Sequence, residues 1–139
     1  MGADVDLHTQ VEMFYARHMQ LLGDEDFEGW ARTFTEDATF GGSSHSEPLR
    51  GRAAIADGGR RGQQVLTDKG LVHRRWLGMV TVDPRQDGSL AVRSYGVVVQ
   101  TERGGGSVPV RPAVFEDLLV PSQDGWLISQ RVISRDDQP

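Results

Sequence analysis

His18, His73, Arg75 and the adjacent pair Glu116-Asp117 are the residues of this 139-residue chain whose types and settings point to chemistry. Each stands on an otherwise apolar face, where a polar group needs a partner or a function. His18 lies on the apolar stripe of a helix. A neutral imidazole there can donate a hydrogen bond to a substrate carbonyl or act as a general acid; equally, it can be a core histidine bonded to a backbone carbonyl. His73 opens a long strand, and alternation puts His73, Arg75, Leu77 and Met79 on one face. An imidazole titrates near neutrality and can carry a proton. A guanidinium beside it can hold a carboxylate or an enolate. The plainer alternative leaves both at a wet strand end. Consecutive strand residues point to opposite faces, so only one of Glu116 and Asp117 turns inward. A carboxyl in an apolar pocket has a raised pKa and serves as acid or base; paired with an arginine such as Arg131, it is a structural carboxylate. His45 sits in a Ser- and Gly-rich loop at the border of a pocket mouth, and His8 reads as solvent-facing.

These residues are held by a chain that is helical in its first half and stranded in its second. Leu7, Val11, Phe14, Tyr15, His18, Leu21 and Leu22 recur at three- and four-residue spacing, which predicts a helix from about Val5 to Leu22, stopped by Gly23. A short second helix is expected after an Asp24 cap, with Phe27, Trp30, Ala31 and Phe34 facing inward. Thr35-Glu36-Asp37 reads as a turn, Ala38-Thr39-Phe40 as the start of a short strand, and residues 41–48 as loop. A third helix is expected from Arg52 to about Leu66, weakened by Gly58, Gly59 and Gly62. Residues 71–82, 89–102, 108–120 and 126–134 are rich in Val, Leu, Tyr and Trp, and turn signals separate them. Sequential strands of this kind form an antiparallel meander. Long twisted strands covered on one face by helices curl and leave a cavity between the layers.

Composition bounds the function. A chain of this length makes one domain, residues 1–139, with a core of its own. Hydrophobic residues at 37% and charged residues at 25% are an ordinary globular balance, and no apolar run is long enough to span a bilayer. The acidic start, Met1 to Asp6, lacks the order of a signal peptide, so a cytoplasmic location is expected. A net charge of −5 argues against nucleic acid as a partner. There is no cysteine, and the four histidines lack metal-ligand spacing, so neither a metal nor another cofactor is implied. Gly104-Gly105-Gly106 lies in a strand turn and makes no phosphate loop.

The order of segments resembles the SnoaL-like branch of the nuclear transport factor 2-like superfamily over nearly the whole chain. The matching pieces run from Gly23 to Trp30, from Phe34 to Phe40 and from Leu49 to Ile55. They continue through Arg74-Arg75-Trp76-Leu77, Arg93-Ser94-Tyr95 and Phe115 to Val120, and end at Asp124-Gly125-Trp126-Leu127-Ile128 with Arg131. The resemblance implies an α+β fold: a cone-shaped, curved, antiparallel (mixed) β-sheet wrapped by three N-terminal helices around an apolar pocket. It does not fix a function, because the fold carries many activities. In that setting His18 falls where ketosteroid isomerase has its oxyanion-hole tyrosine, and Glu116 where that enzyme keeps a protonated aspartate. The isomerase's aspartate base falls at Gly42, so that reaction is not expected. Scytalone dehydratase has a catalytic histidine at Arg75's position, with His73 one pleat away, and an aspartate near Asp24 and Asp26, which helix capping explains as well.

The function implied is a cofactor-independent tailoring enzyme, a polyketide cyclase, dehydratase or isomerase, acting by acid–base catalysis on a small apolar, aromatic or polyketide-like metabolite. His73 or His18 moves the proton, Glu116 is its partner, and Arg75 stabilises negative charge. Phe14, Trp30, Phe34, Phe40, Trp76 and Phe115 wall the pocket; Tyr15 and Tyr95 reach it or complete the core. Alternatives are a non-catalytic module that binds a small molecule or a protein, supported by Arg75 and Met79 standing where relatives have histidine and asparagine, and the small subunit of a ring-hydroxylating dioxygenase. A homodimer through the outer face of the sheet is expected.

Overall fold

The computed structural model describes residues 6–138. Helix α1 spans Leu7–Gly23, and the Asp6 carboxylate caps it by accepting from the Thr9 N–H at 2.9 Å. The expected start at Val5 lies outside the described residues. Val11, Tyr15 and His18 are its buried stripe. Asp24 ends α1 rather than beginning the next helix: its N–H reaches back to the Gln20 carbonyl, and the Glu25 N–H to that of Leu22. Glu25 then turns the chain with a left-handed backbone (φ 62°). The cap of α2 (Phe27–Ala31) is therefore Asp26, which accepts from the Gly29 N–H at 2.9 Å.

Strand β1 (Phe34–Gly42) runs through the turn expected at residues 35–37. It pairs in parallel with the last strand at Phe34↔Ile128, slips, and resumes at Thr39↔Gln130. The slip leaves the polar Glu36 and Asp37 exposed while Phe34 and Ala38 stay buried, so pairing overrides local polarity. Strand β2 (Leu49–Arg50) is a short partner of β1. Helix α3 covers Gly51–Lys69 and runs on past its three central glycines. A meander follows: β3 (Leu71–Pro84), β4 (Leu90–Glu102), β5 (Ser107–Ser122) and β6 (Gly125–Arg135). The six strands form one mixed sheet in the order β2-β1-β6-β5-β4-β3.

Three register breaks bend the meander: between Gly78 and Thr81 on β3, on β5 opposite Val97, and between Gln130 and Ile128 on β6. Helix α1 lies against β3, and α3 against β1. Between helices and sheet sits the core: Val11, Tyr15, Trp30, Phe34, Ile55, Leu90, Val92, Leu119 and Ile128. Among the described residues, no helix is long and apolar enough to cross a membrane.

Candidate functional site

One polar cluster is embedded in the core. Alternation on β5 turns Asp117 inward and leaves it buried, while Glu116 is exposed on the opposite face. The expected role of Glu116 as the inward carboxyl thus passes to Asp117. Arg131 on β6 stands directly across from Asp117 in the ladder. Its Nε and Nη2 donate to the two carboxylate oxygens at 3.0 and 2.9 Å. The Tyr15 hydroxyl, from α1, donates to the same carboxylate at 2.7 Å. Burial, and then the Asp117 charge, push the Tyr15 pKa far up, so the phenol stays protonated. The Arg131 guanidinium also lies 5.1–5.8 Å from the ring centres of Phe115, Phe34 and Phe40, at cation–π range.

His18 completes this cluster. Its Nε2 accepts from Arg131 Nη1 at 2.9 Å and from Trp30 Nε1 at 3.3 Å. That assigns the proton to Nδ1, which faces Thr33 Oγ1 at 2.7 Å. Burial, and then the Arg131 charge, hold its pKa well below the ordinary histidine value. Both ring nitrogens are engaged and the residue is fully buried. His18 is thus held neutral, with its Nε2 against Arg131.

Above this cluster is a cavity of about 250 Å³. Trp30, Phe40, Ile55, Phe115 and Ile133 supply apolar wall, and Gly58, Gly59 and Gly62 of α3 border it. Gly58 and Gly59, which weaken α3 in isolation, let it pack close to Leu49 and Phe27. A Cβ at Gly59 would come 2.9 Å from Phe27 Cδ1, and one at Gly58 would come 2.9 Å from Leu49 Cδ1, whereas one at Gly62 would meet nothing within 4 Å. Gly42 cannot carry a side chain at all, because its Cβ would lie 1.9 Å from the Ile133 carbonyl oxygen.

Several expected wall residues lie elsewhere. Phe34 is fully buried beneath Arg131, and Phe14 packs on His18 and Tyr15. Trp76 borders the cavity, yet it alternates with the inward Arg75 and is 68% exposed; Tyr95 is 50% exposed with Arg93 against its ring. Both belong to the outer face of the sheet. Arg75, Arg111, Arg131, Arg135 and His45 line the cavity, and among the described residues no carboxylate does.

A groove of about 530 Å³ between α1 and β3 adjoins the cavity at Met19, Arg75 and Trp76. His73 lines this groove. Its Nε2 lies 2.8 Å from the Gln100 side-chain oxygen, an acceptor, so Nε2 carries the proton. Nδ1 is buried and has no hydrogen-bond partner. Burial lowers the His73 pKa, the Gln100 bond opposes this, and the charges of Arg75 and Arg111 lower it further. The ring is thus neutral near pH 7, with a buried, unpartnered lone pair on Nδ1.

An open curved sheet with three helices over an apolar cavity defines a nuclear transport factor 2-like fold. The chain matches the SnoaL-like domain over residues 3–132 and belongs to that family. Aln2 from a Streptomyces species has a similar structure, with 32% identity over 94% of this chain and 91% of that one and a TM-score of 0.86. ActVI-ORFA from Streptomyces coelicolor is 28% identical over 94% of this chain and 95% of that one, with a TM-score of 0.85. A Catenulispora acidiphila protein, solved in complex with S-DNPA, is 27% identical over 94% of each chain, with a TM-score of 0.79. No protein of curated function matches in sequence.

Sequence reasoning missed Arg111 and the glycine-lined side of the cavity. Arg111-Pro112 inside an apolar strand run was the available signal, since a proline cannot donate to the ladder and is confined to irregular positions in a central strand.

Proposed function

We propose that the protein is a cofactor-independent tailoring enzyme of the cyclase, dehydratase or isomerase type, acting on an apolar cyclic metabolite such as a polyketide. The observation that carries this reading is the neutral imidazole of His73 in the groove, which adjoins the cavity at Arg75. In this reading the His73 imidazole takes a proton from a carbon next to a substrate carbonyl. The electron pair moves to the carbonyl oxygen, and the Arg75 guanidinium stabilises the resulting enolate. The imidazolium then returns the proton to another carbon, or to a departing hydroxyl. The apolar walls hold the substrate in one reactive conformation and add rate by orientation. His18 and Asp117 serve by holding Arg131 still beneath the substrate.

The binding of S-DNPA by the Catenulispora relative supports a small-molecule ligand for this cavity. The test is a titration of S-DNPA followed by tryptophan fluorescence. Saturable quenching is expected, and Gly62→Phe should abolish it by filling the cavity. No quenching in the wild type would count against the ligand class. A module that binds without chemistry is the second reading, favoured by the mutual pairing of His18, Asp117 and Arg131.

The outer face of the sheet carries Trp76, Met79 and Tyr95, exposed by 68%, 81% and 50%. In the same reading a second copy of the chain covers that face, making a homodimer.

A further inference from the structure

His73 meets its polar partner across the strand ladder. In the pairing of β3 with β4 it stands directly opposite Gln100. Residues paired in this way point to the same face, with Cβ atoms about 5 Å apart. The two side chains meet there, His73 Nε2 to Gln100 Oε1, at 2.8 Å. The pair lies within an unbroken run of the ladder, from Leu71↔Glu102 to Gly78↔Tyr95, so regular pairing holds both backbones in place.

A neutral imidazole has two tautomers, and the partner of one nitrogen selects between them. The carboxamide oxygen accepts and cannot donate, so it takes the N–H of Nε2 and leaves Nδ1 bare. Nδ1 is buried and unpartnered. The other tautomer would bury an unpaired N–H at that place, and unpaired donors are rarer in folded proteins than unpaired acceptors. Charge acts on the same ring. Glu12, Tyr15 and Asp24 of α1 and Arg74 and Arg75 of β3 line the groove with His73, and among the described residues α3 supplies none of that lining. The charges felt at the ring are those of Arg75 and of Arg111 on β5, both positive. A carboxylate at the place of the Gln100 amide would stabilise the imidazolium against them, and a neutral amide does so only weakly.

We propose that Gln100 is a positioning residue: it fixes the tautomer of His73 and, by offering an amide where a carboxylate would fit, keeps the ring a neutral base into the acidic range. This rests on the reading of His73 as the proton carrier and adds the group that decides which nitrogen holds the proton. Gln100 acts through the ring alone and touches no reacting atom. Glutamine and glutamate have nearly the same shape, so exchanging one for the other changes the charge and spares the packing.

Nitrogen-15 NMR of the imidazoles, on the whole chain, reads the tautomer directly in the wild type, in Gln100→Glu and in Gln100→Leu. Wild-type His73 should show a protonated Nε2 and a bare Nδ1. Gln100→Leu should lose that preference and populate Nδ1–H. Gln100→Glu should raise the pH at which the ring takes up its proton by about 1 unit or more, because an opposite charge at this distance favours the charged form. In proton exchange on 1-tetralone the wild-type rate should hold as the pH falls, whereas that of Gln100→Glu should drop about 10-fold for each pH unit below the raised midpoint. A proton on Nδ1 in the wild type, an unaltered tautomer in Gln100→Leu, or an unmoved midpoint in Gln100→Glu would each overturn the proposal. If Gln100→Leu does not fold, the wild-type and Gln100→Glu spectra decide it. The spectra need no turnover, which keeps two failures apart. The expected tautomers with exchange that is unchanged in His73→Ala remove the proton-carrying reading alone. An Nδ1–H tautomer with exchange still dependent on His73 removes the role of Gln100 alone.

Discussion

At the scale of single residues, two histidines on apolar faces have opposite fates, and their second contacts decide which. His18 has both nitrogens occupied, and the charge of Arg131 adds to burial in keeping it neutral. Its folded-state pKa lies well below its unfolded value, so below about pH 6.5 the unfolded chain takes up a proton that the folded chain refuses. The stability from a neutral His18 is complete above that pH and is lost as pH falls toward the folded pKa. His73 adds to the slope with the same sign. Unfolding free energies from urea titrations between pH 7 and pH 5 should decline by up to about 1.4 kcal/mol per pH unit for each histidine, and His18→Gln should flatten the decline. Asp117 offers a second test. Asp117→Ala strands a buried guanidinium, at a cost of about 3–5 kcal/mol in chemical denaturation. Glu116→Ala, on the exposed face, should stay within about 0.5 kcal/mol.

At the scale of elements, regular periodicity was legible and irregularity was not. The stripe of α1 and the four strand runs of the meander follow from spacing alone, because burial selects residue types at periods of 3.6 and 2. The inward carboxylate was open between Glu116 and Asp117, since strand phase depends on register with β4 and β6. The parallel pairing of β1 with β6 was hidden, because Thr35-Glu36-Asp37 reads locally as a turn. Bulges were equally hidden: a residue such as Arg111 is placed by strand mismatch, with only Pro112 as its trace. The glycines of α3 looked like a defect and prove to border the cavity. Gly62→Ala should therefore stabilise the helix by about 0.5–1 kcal/mol in thermal unfolding and leave ligand binding intact. The neighbouring Gly59→Ala, with Phe27 and Trp30 in its way, should not share that gain.

At the scale of the whole molecule, the fold separates two faces of one sheet. The inner face, under the helices, holds a cavity that is apolar in its walls and cationic in its polar lining. The outer face holds exposed Trp76, Met79 and Tyr95. If a second copy covers that face, Trp76→Glu should shift the protein toward monomer in sedimentation velocity, and an unchanged distribution would exclude this surface as the contact. The proposed activity depends above all on His73, held neutral in the groove, moving a proton beside Arg75. NMR in D2O reads that step, by following exchange of the hydrogens next to the carbonyl of 1-tetralone with the wild type and with His73→Ala from pH 5 to pH 8. The wild type should accelerate exchange and keep its rate as the pH falls past the ordinary histidine value of 6.5, and the folded variant should be slower by about 100-fold or more. A folded His73→Ala that exchanges at the wild-type rate would contradict a proton-carrying role for His73.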